Sequence, residues 1–237
     1  QDTFLSVKNL TLNGKFKDIS FEAKKGEVLG IFGLVGSGID ELCKVLFGIF
    51  PKSKGQINIH NQEVSLKDST DAIKNGILLV PGDRRQEGQI GDEPIKFNIS
   101  ISNLKRISGN TGLIKSKVEN VSVQELVDVL KVSPTDILIE VALLSGGNQQ
   151  KVVIAKTLFA EGDVYIFEEP TVGVDVGAKA GIYKLIRELS KDKAVIVVSS
   201  DCEEIYGNCD RIIVMYKGEA VMNCIAEESK LEEILLY

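Results

Sequence analysis

Two hydrophobic rhythms alternate along the chain, and together they predict an α/β fold. Short apolar runs read as strands. Between them, apolar residues recur every three or four positions, as on helices packed against a largely parallel sheet. "LSVKNLTL" (5–12) and "DISFEA" (18–23) alternate apolar and polar residues like an antiparallel β edge. "EVLGIF" (27–32) reads as a buried strand feeding a glycine-rich loop. After the loop, Leu42, Val45, Leu46 and Ile49 stand at i, i+3, i+4 and i+7 and predict a helix that carries all four. "GILLVP" (76–81) is another buried run.

The pattern changes from about Glu93 to Leu144, where strand signals vanish and Val123, Leu126, Val127 and Leu130 mark an amphipathic helix. This predicts a helical subdomain, about 93–160, inserted into a core of 1–92 and 161–237. A helix with Val152, Ala155 and Leu158 turned inward is expected after Ser145. Core strands resume at "VYIF" (164–167), "AVIVVSS" (194–200) and "RIIVMY" (211–216). A helix carrying Ile182, Leu185, Ile186 and Leu189 lies between the first two.

Composition narrows the field. The 237 residues are 43% hydrophobic, enough for one large domain or one with an insertion. With 28 Lys+Arg against 34 Asp+Glu the formal charge is −6, and no Lys/Arg-rich run forms a nucleic-acid footprint. Cys43, Cys202, Cys209 and Cys224 lack zinc-type spacing and read as reduced thiols. No apolar stretch reaches membrane-spanning length. The start at Gln1 suggests a segment of a longer polypeptide.

Three stretches carry candidate chemistry. In "GLVGSGID" (33–40), Gly33, Gly36, Ser37 and Gly38 follow a strand and precede a helix, so successive N–H groups can converge on an anion at the helix N-terminus. The spacing matches GxxxxGK[ST], but Ile39 and Asp40 stand at the Lys and Ser/Thr positions. In "LLSGGNQQK" (143–151), Ser145 offers a hydroxyl, Gly146 and Gly147 let a ligand approach the backbone, and Asn148 and Gln149 open a helix. "VYIFEEPTVGVD" (164–175) ends a buried strand in Glu168 and Glu169, which are costly there unless they bind a cation or activate a water.

In this order the three stretches resemble the nucleotide-binding domain of ABC transporters over nearly the whole chain. "LSGGNQQ" is similar to the ABC signature, and "VYIFEEP" to the Walker B strand with Glu169 as catalytic glutamate. The resemblance places Asp175 on the D-loop. "VPGDRR" (80–85) with "EEPTVGVDVGAK" (168–179) resembles the second domain of tandem ribose- and galactose-type import ATPases, whose relatives also serve nucleosides. It implies a P-loop NTPase core, ATP and Mg²⁺ as ligands, and a position at the cytoplasmic face of the inner membrane. The implied partners are an N-terminal nucleotide-binding half of the same polypeptide, membrane permease subunits and, indirectly, an extracytoplasmic solute-binding protein.

Departures from the family pattern set the expectation for activity. Besides Ile39 and Asp40, Glu168 replaces the Walker B Asp, Gly82 occupies the Q-loop glutamine position, and Ser200 the switch-histidine position. Asn13 or Lys15 stands where an aromatic often faces adenine. His60, the one histidine, lies in "INIHNQEV", far from these motifs in sequence. Replacing Lys and Ser by Ile and Asp makes the loop more negative by two charges, and one unit charge about 4 Å away is worth on the order of 4 kcal/mol at an effective dielectric of 20. Asp40 and Glu168 could recover part of this by holding Mg²⁺. The domain is expected to turn over ATP weakly and to lend Ser145, Gly146, Gly147, Asn148 and Gln149 to a partner's ATP. The alternatives are the same type of ATPase energising nucleoside import, or a purely regulatory or scaffolding ABC domain that hydrolyses no ATP.

Overall fold

A computed structural model describes residues 2–109 and 112–236. Two compact units emerge. One comprises residues up to Leu79, Gly162–Pro170 and the chain from Ile186 onward; the other comprises Val80–Glu161 and Thr171–Leu185.

The first unit is built on two sheets. Strands β1 (Thr3–Leu12), β2 (Phe16–Lys24), β4 (Lys54–Ile59) and β5 (Gln62–Glu63) form an antiparallel sheet in the order β2-β1-β4-β5. The alternating N-terminal strands therefore belong to a sheet of their own rather than to an edge of the parallel one. The second sheet runs β10-β9-β3-β8-β7-β6. Its strands are β3 (Val28–Phe32), β6 (Ile77–Val80), β7 (Val164–Glu168), β8 (Ala194–Ser199), β9 (Arg211–Tyr216) and β10 (Glu219–Ile225). β9, β3, β8 and β7 are parallel, and β10 returns antiparallel along β9. Every residue of β3, β7 and β8 is buried, as strands covered on both faces require.

Register decides where the chemistry gathers. Phe32 pairs with Ser199, and Glu168 with Val198, so β3, β8 and β7 end level at their carboxyl edge. The glycine loop, Ser200 and Glu169 leave the sheet side by side there, the usual place for a ligand in an open α/β sheet.

Helix α1 (Ile39–Leu46) buries Ile39, Leu42, Cys43, Val45 and Leu46. Ile49 is not on it. Gly48 adopts φ +75° two residues after the helix ends, and a Cβ there would meet the Asp68 carbonyl oxygen at 2.4 Å. The chain turns away, leaving Ile49 47% exposed.

The second unit is mostly helical. It holds α3 (Ile95–Ser100), α4 (Leu104–Ile107), α5 (Ser116–Val129), α6 (Gly146–Ala160) and the start of α7 (Val176–Ser190); the earlier α2 (Ser69–Lys74) and the later α8 (Cys202–Asn208) and α9 (Leu231–Ile234) belong to the first unit. Val123, Val127 and Leu130 are buried as expected, with Leu126 partly covered. On α6 the expected stripe of Val152, Ala155 and Leu158 is too narrow: Val153, Ile154, Thr157 and Phe159 are buried too, while Leu158 is only half-buried.

Candidate functional site

The glycine loop is shaped by crowding. Gly36 and Gly38 adopt φ +87° and +95°, where an L side chain is strained. A Cβ on Gly33 would lie 2.4 Å from Ser37 Oγ and 2.9 Å from the Met215 carbonyl oxygen, so a side chain there would force the backbone to shift. The Ser37 amide donates to the Leu34 carbonyl at 2.9 Å, and the Gly218 amide to the Ser37 carbonyl at 3.0 Å, closing the turn. Ser37 is buried, and its Oγ has no hydrogen-bond partner among the described residues.

What the loop presents is mostly hydrocarbon. Ile39 is 3% exposed and packs into the core shared with Leu42, Leu46 and Ile31. Leu34 and Val35 are exposed at the loop tip, Val35 at 91%. Asp40 is exposed by surface area, yet partial burial by the surrounding loop raises its carboxyl pKa. Glu41 and Glu169 raise it further, and Lys44 opposes them. Glu41 is held down by its ion pair with Lys15, 2.7 Å away. An open cavity of about 360 Å³ beside Lys15 is lined also by Asn13, Lys54, Lys217 and Gly218. Its one aromatic lining residue, Phe16, is 3% exposed and offers no open ring face.

Across the sheet edge, Glu169 is pinned. Its backbone has φ +44°, and its amide donates to the Val198 carbonyl at 2.8 Å. Its carboxylate accepts from Ser199 Oγ at 2.9 Å and from the Ser200 amide at 2.6 Å. Ser199 Oγ in turn accepts from the Asp201 amide at 3.1 Å, so the hydroxyl is oriented toward Glu169. Glu168 is buried at the end of β7, and Ser200 is exposed. Among the described residues no three His, Cys, Asp or Glu side chains are grouped to hold a metal ion.

In the second unit, Ser145 caps α6, its Oγ accepting from the Asn148 amide at 3.4 Å and from Asn148 Nδ2 at 3.0 Å. Asn148 Oδ1 accepts from the Ser133 amide at 2.9 Å, anchoring the cap to the preceding loop. Gln149 departs from expectation. It is 4% exposed, and its Nε2 donates to the Leu144 carbonyl at 3.1 Å, so it braces the loop from inside instead of facing outward.

The glycine pair also has a packing role that the sequence does not reveal. A Cβ on Gly146 would lie 2.7 Å from the Gly173 carbonyl oxygen and 2.9 Å from Arg84 Nη2. One on Gly147 would lie 3.2 Å from Asp175 Oδ2. Asp175 Oδ1 accepts from the Ala178 amide at 3.0 Å at the start of α7. Gly82, two residues beyond β6, is half-buried.

Arg84 was not singled out by the sequence. It opens a short π-helical turn, Arg84–Gly88, capped by Asp83, whose Oδ1 accepts from the Arg85 and Gln86 amides. Its Nη1 donates to the Val172 carbonyl at 2.7 Å and its Nη2 to the Gly173 carbonyl at 3.4 Å. Burial, then Arg85, lowers its pKa, but a guanidinium keeps its charge in proteins. The available signal was the adjacent arginine pair in "VPGDRR"; its contacts lie 88 and 89 positions away and are invisible to spacing.

Elsewhere, His60 Nε2 lies 3.1 Å from Asp163 Oδ2 and its ring stands edge-on to Phe4, a satisfied surface histidine. Cys43, Cys202, Cys209 and Cys224 are free thiols; burial raises the Cys43 pKa well above its ordinary value and pushes Cys209 up to about 12.

Glycine loop, paired strand-end carboxylates and a serine–glycine–glycine helix cap define an ATP-binding cassette. The sequence pattern of the family described as ABC transporter matches residues 16–172, and this chain belongs to that family. It is 43% identical over 216 residues to ribose import ATP-binding protein RbsA 3 of Rhizobium meliloti, covering 91% of this chain and 43% of that protein. It is 41% identical to RbsA of Caldanaerobacter subterraneus subsp. tengcongensis, covering 99% of this chain and 48% of the relative. It is also 41% identical to the galactose/methyl galactoside import protein MglA of Clostridium perfringens, covering 99% of this chain and 46% of the relative. The chain thus spans about half the length of these relatives. The fold matches a nucleotide-free ATP-binding cassette from an ABC transporter with a TM-score of 0.83, at 20% identity, over 99% of this chain and 96% of that one. A cassette in its ADP conformation matches with a TM-score of 0.81, at 20% identity, over 100% and 99% of the two chains.

Proposed function

We propose that this chain is a nucleotide-binding cassette of an ABC importer for monosaccharides, contributing its signature loop to ATP held mainly by a partner cassette. The relatives' names support the transport class, and the likeness to RbsA and MglA supports ribose or galactose over other solutes. The partners would be a second nucleotide-binding half of the same polypeptide and membrane permease subunits fed by an extracytoplasmic solute-binding protein. The location would be the cytoplasmic face of the inner membrane.

The observation that carries the division of labour is Ile39. Its side chain is buried in the core at the position where a phosphate-gripping ammonium would stand. Next to it Asp40, crowded by Glu41 and Glu169, adds negative charge where a triphosphate would bring more. Together with the absent hydroxyl at position 40, these residues do not fit a magnesium triphosphate. The cap Ser145–Gly146–Gly147–Asn148 retains its hydroxyl and its helix end, the groups that attract an anion.

The test is Ser145→Arg in the assembled transporter, with ATP turnover measured. Abolished turnover is expected, because an arginine at the helix tip obstructs the ligand's approach. Turnover at the wild-type rate refutes the contribution in trans.

A further inference from the structure

We infer that Arg84 is a positioning residue for the signature loop, holding Gly146 and Gly147 in place through the carbonyls of Val172 and Gly173. The inference rests on the reading above, in which that loop serves a partner's ATP.

The geometry forms a chain of contacts within one unit. The Arg84 fork donates to Val172 O at 2.7 Å and to Gly173 O at 3.4 Å. The same Gly173 carbonyl would lie 2.7 Å from a Cβ on Gly146, so the two backbones touch with no side chain between them. Two residues on, Asp175 reaches under Gly147 and caps α7 through the Ala178 amide. The 172–175 loop therefore supports both signature glycines, and Arg84 fixes that loop. Gly173 has φ +66°, and a Cβ there would lie 3.0 Å from Arg84 Nη2, so that position too is shaped around the guanidinium.

Stability alone does not account for this arrangement. Arg84 Nε is buried without an acceptor among the described residues, and an unpaired buried donor costs the fold. Asp83, the adjacent acid, uses its Oδ1 to cap the turn. The guanidinium is directed at main-chain carbonyls of a loop that carries no charge of its own before Asp175. A lysine could satisfy one carbonyl but could not bridge two with a planar fork.

The experiment compares Arg84→Lys and Arg84→Ala with wild type in the assembled transporter. It reads kcat and KM for ATP, together with the melting temperature of each variant. Both substitutions should lower kcat at least tenfold while KM stays within about twofold, since nucleotide is held mainly by the partner. Arg84→Lys should melt within a few degrees of wild type. Millimolar methylguanidine should restore part of the kcat of Arg84→Ala and none of that of Arg84→Lys, whose side chain still fills the site. Wild-type kcat in Arg84→Lys overturns the inference, and so does a loss that follows melting temperature with no rescue. If Ser145→Arg is inactive while Arg84→Lys is fully active, only the role of Arg84 falls. If Ser145→Arg is fully active, the underlying reading falls and takes this inference with it.

Discussion

An isoleucine buried at position 39 changes what a phosphate loop can do. A lysine stem covers the same apolar surface while its head reaches solvent, so Ile39→Lys need not break the core. With Asp40→Ser it removes one negative charge and adds one positive, against a Coulomb scale of about 4 kcal/mol per unit charge at about 4 Å and an effective dielectric of 20. Screening and desolvation reduce that, but a gain of at least tenfold in affinity for Mg-ATP is expected, corresponding to about 1.4 kcal/mol. Calorimetry on the double variant checks it; an unchanged dissociation constant would show that Ile39 and Asp40 do not limit nucleotide binding to this loop. Asp40 also has a defined pH sign. Its folded pKa is raised above the ordinary 3.8, so its unfavourable contribution is absent below that value and fully present once pH exceeds the folded pKa.

At the scale of elements, the tip of α6 depends on a neighbouring loop as much as on its own sequence. Gly146→Ala places a methyl 2.7 Å from a backbone oxygen, where no flexible side chain can yield. Overpacking of this kind costs roughly 1–3 kcal/mol. The urea midpoint of Gly146→Ala should fall accordingly, and an unchanged midpoint would mean that the 172–175 loop moves freely. Both glycines therefore meet a packing requirement as well as any ligand requirement, and the motif alone could not separate the two.

For the whole molecule, the family assignment and the altered loop together predict that the isolated chain is a poor ATPase. Purified alone, it should hydrolyse Mg-ATP at no more than a few per cent of the rate of the assembled transporter. Rapid turnover by the chain itself would require a competent centre built from its own Asp40, Glu168 and Glu169. Much of the fold and the family was legible in order and spacing, because buried parallel strands must be continuously apolar and strand-end glycines and carboxylates have few structural uses. Ile49 was misplaced for a local reason, because Gly48 turns the chain away after α1, and the stripe on α6 was too narrow for a global one, because that helix is enclosed on most of its circumference. Gln149 was placed with the outward-facing signature because sequence cannot show which way a residue at the start of a helix turns.

The sequence by itself determined the α/β alternation, the three motifs and the substitutions at positions 39 and 40, since these depend on residue type and short-range spacing. Tertiary structure alone decided that Ile39 is sunk in the core, that Glu169 is held by Ser199 and Ser200, and that Arg84 grips a loop 88 positions away. Those facts depend on which strands lie side by side and which carbonyls are left over for a guanidinium. They are set by the packing of distant segments, which local periodicity does not encode.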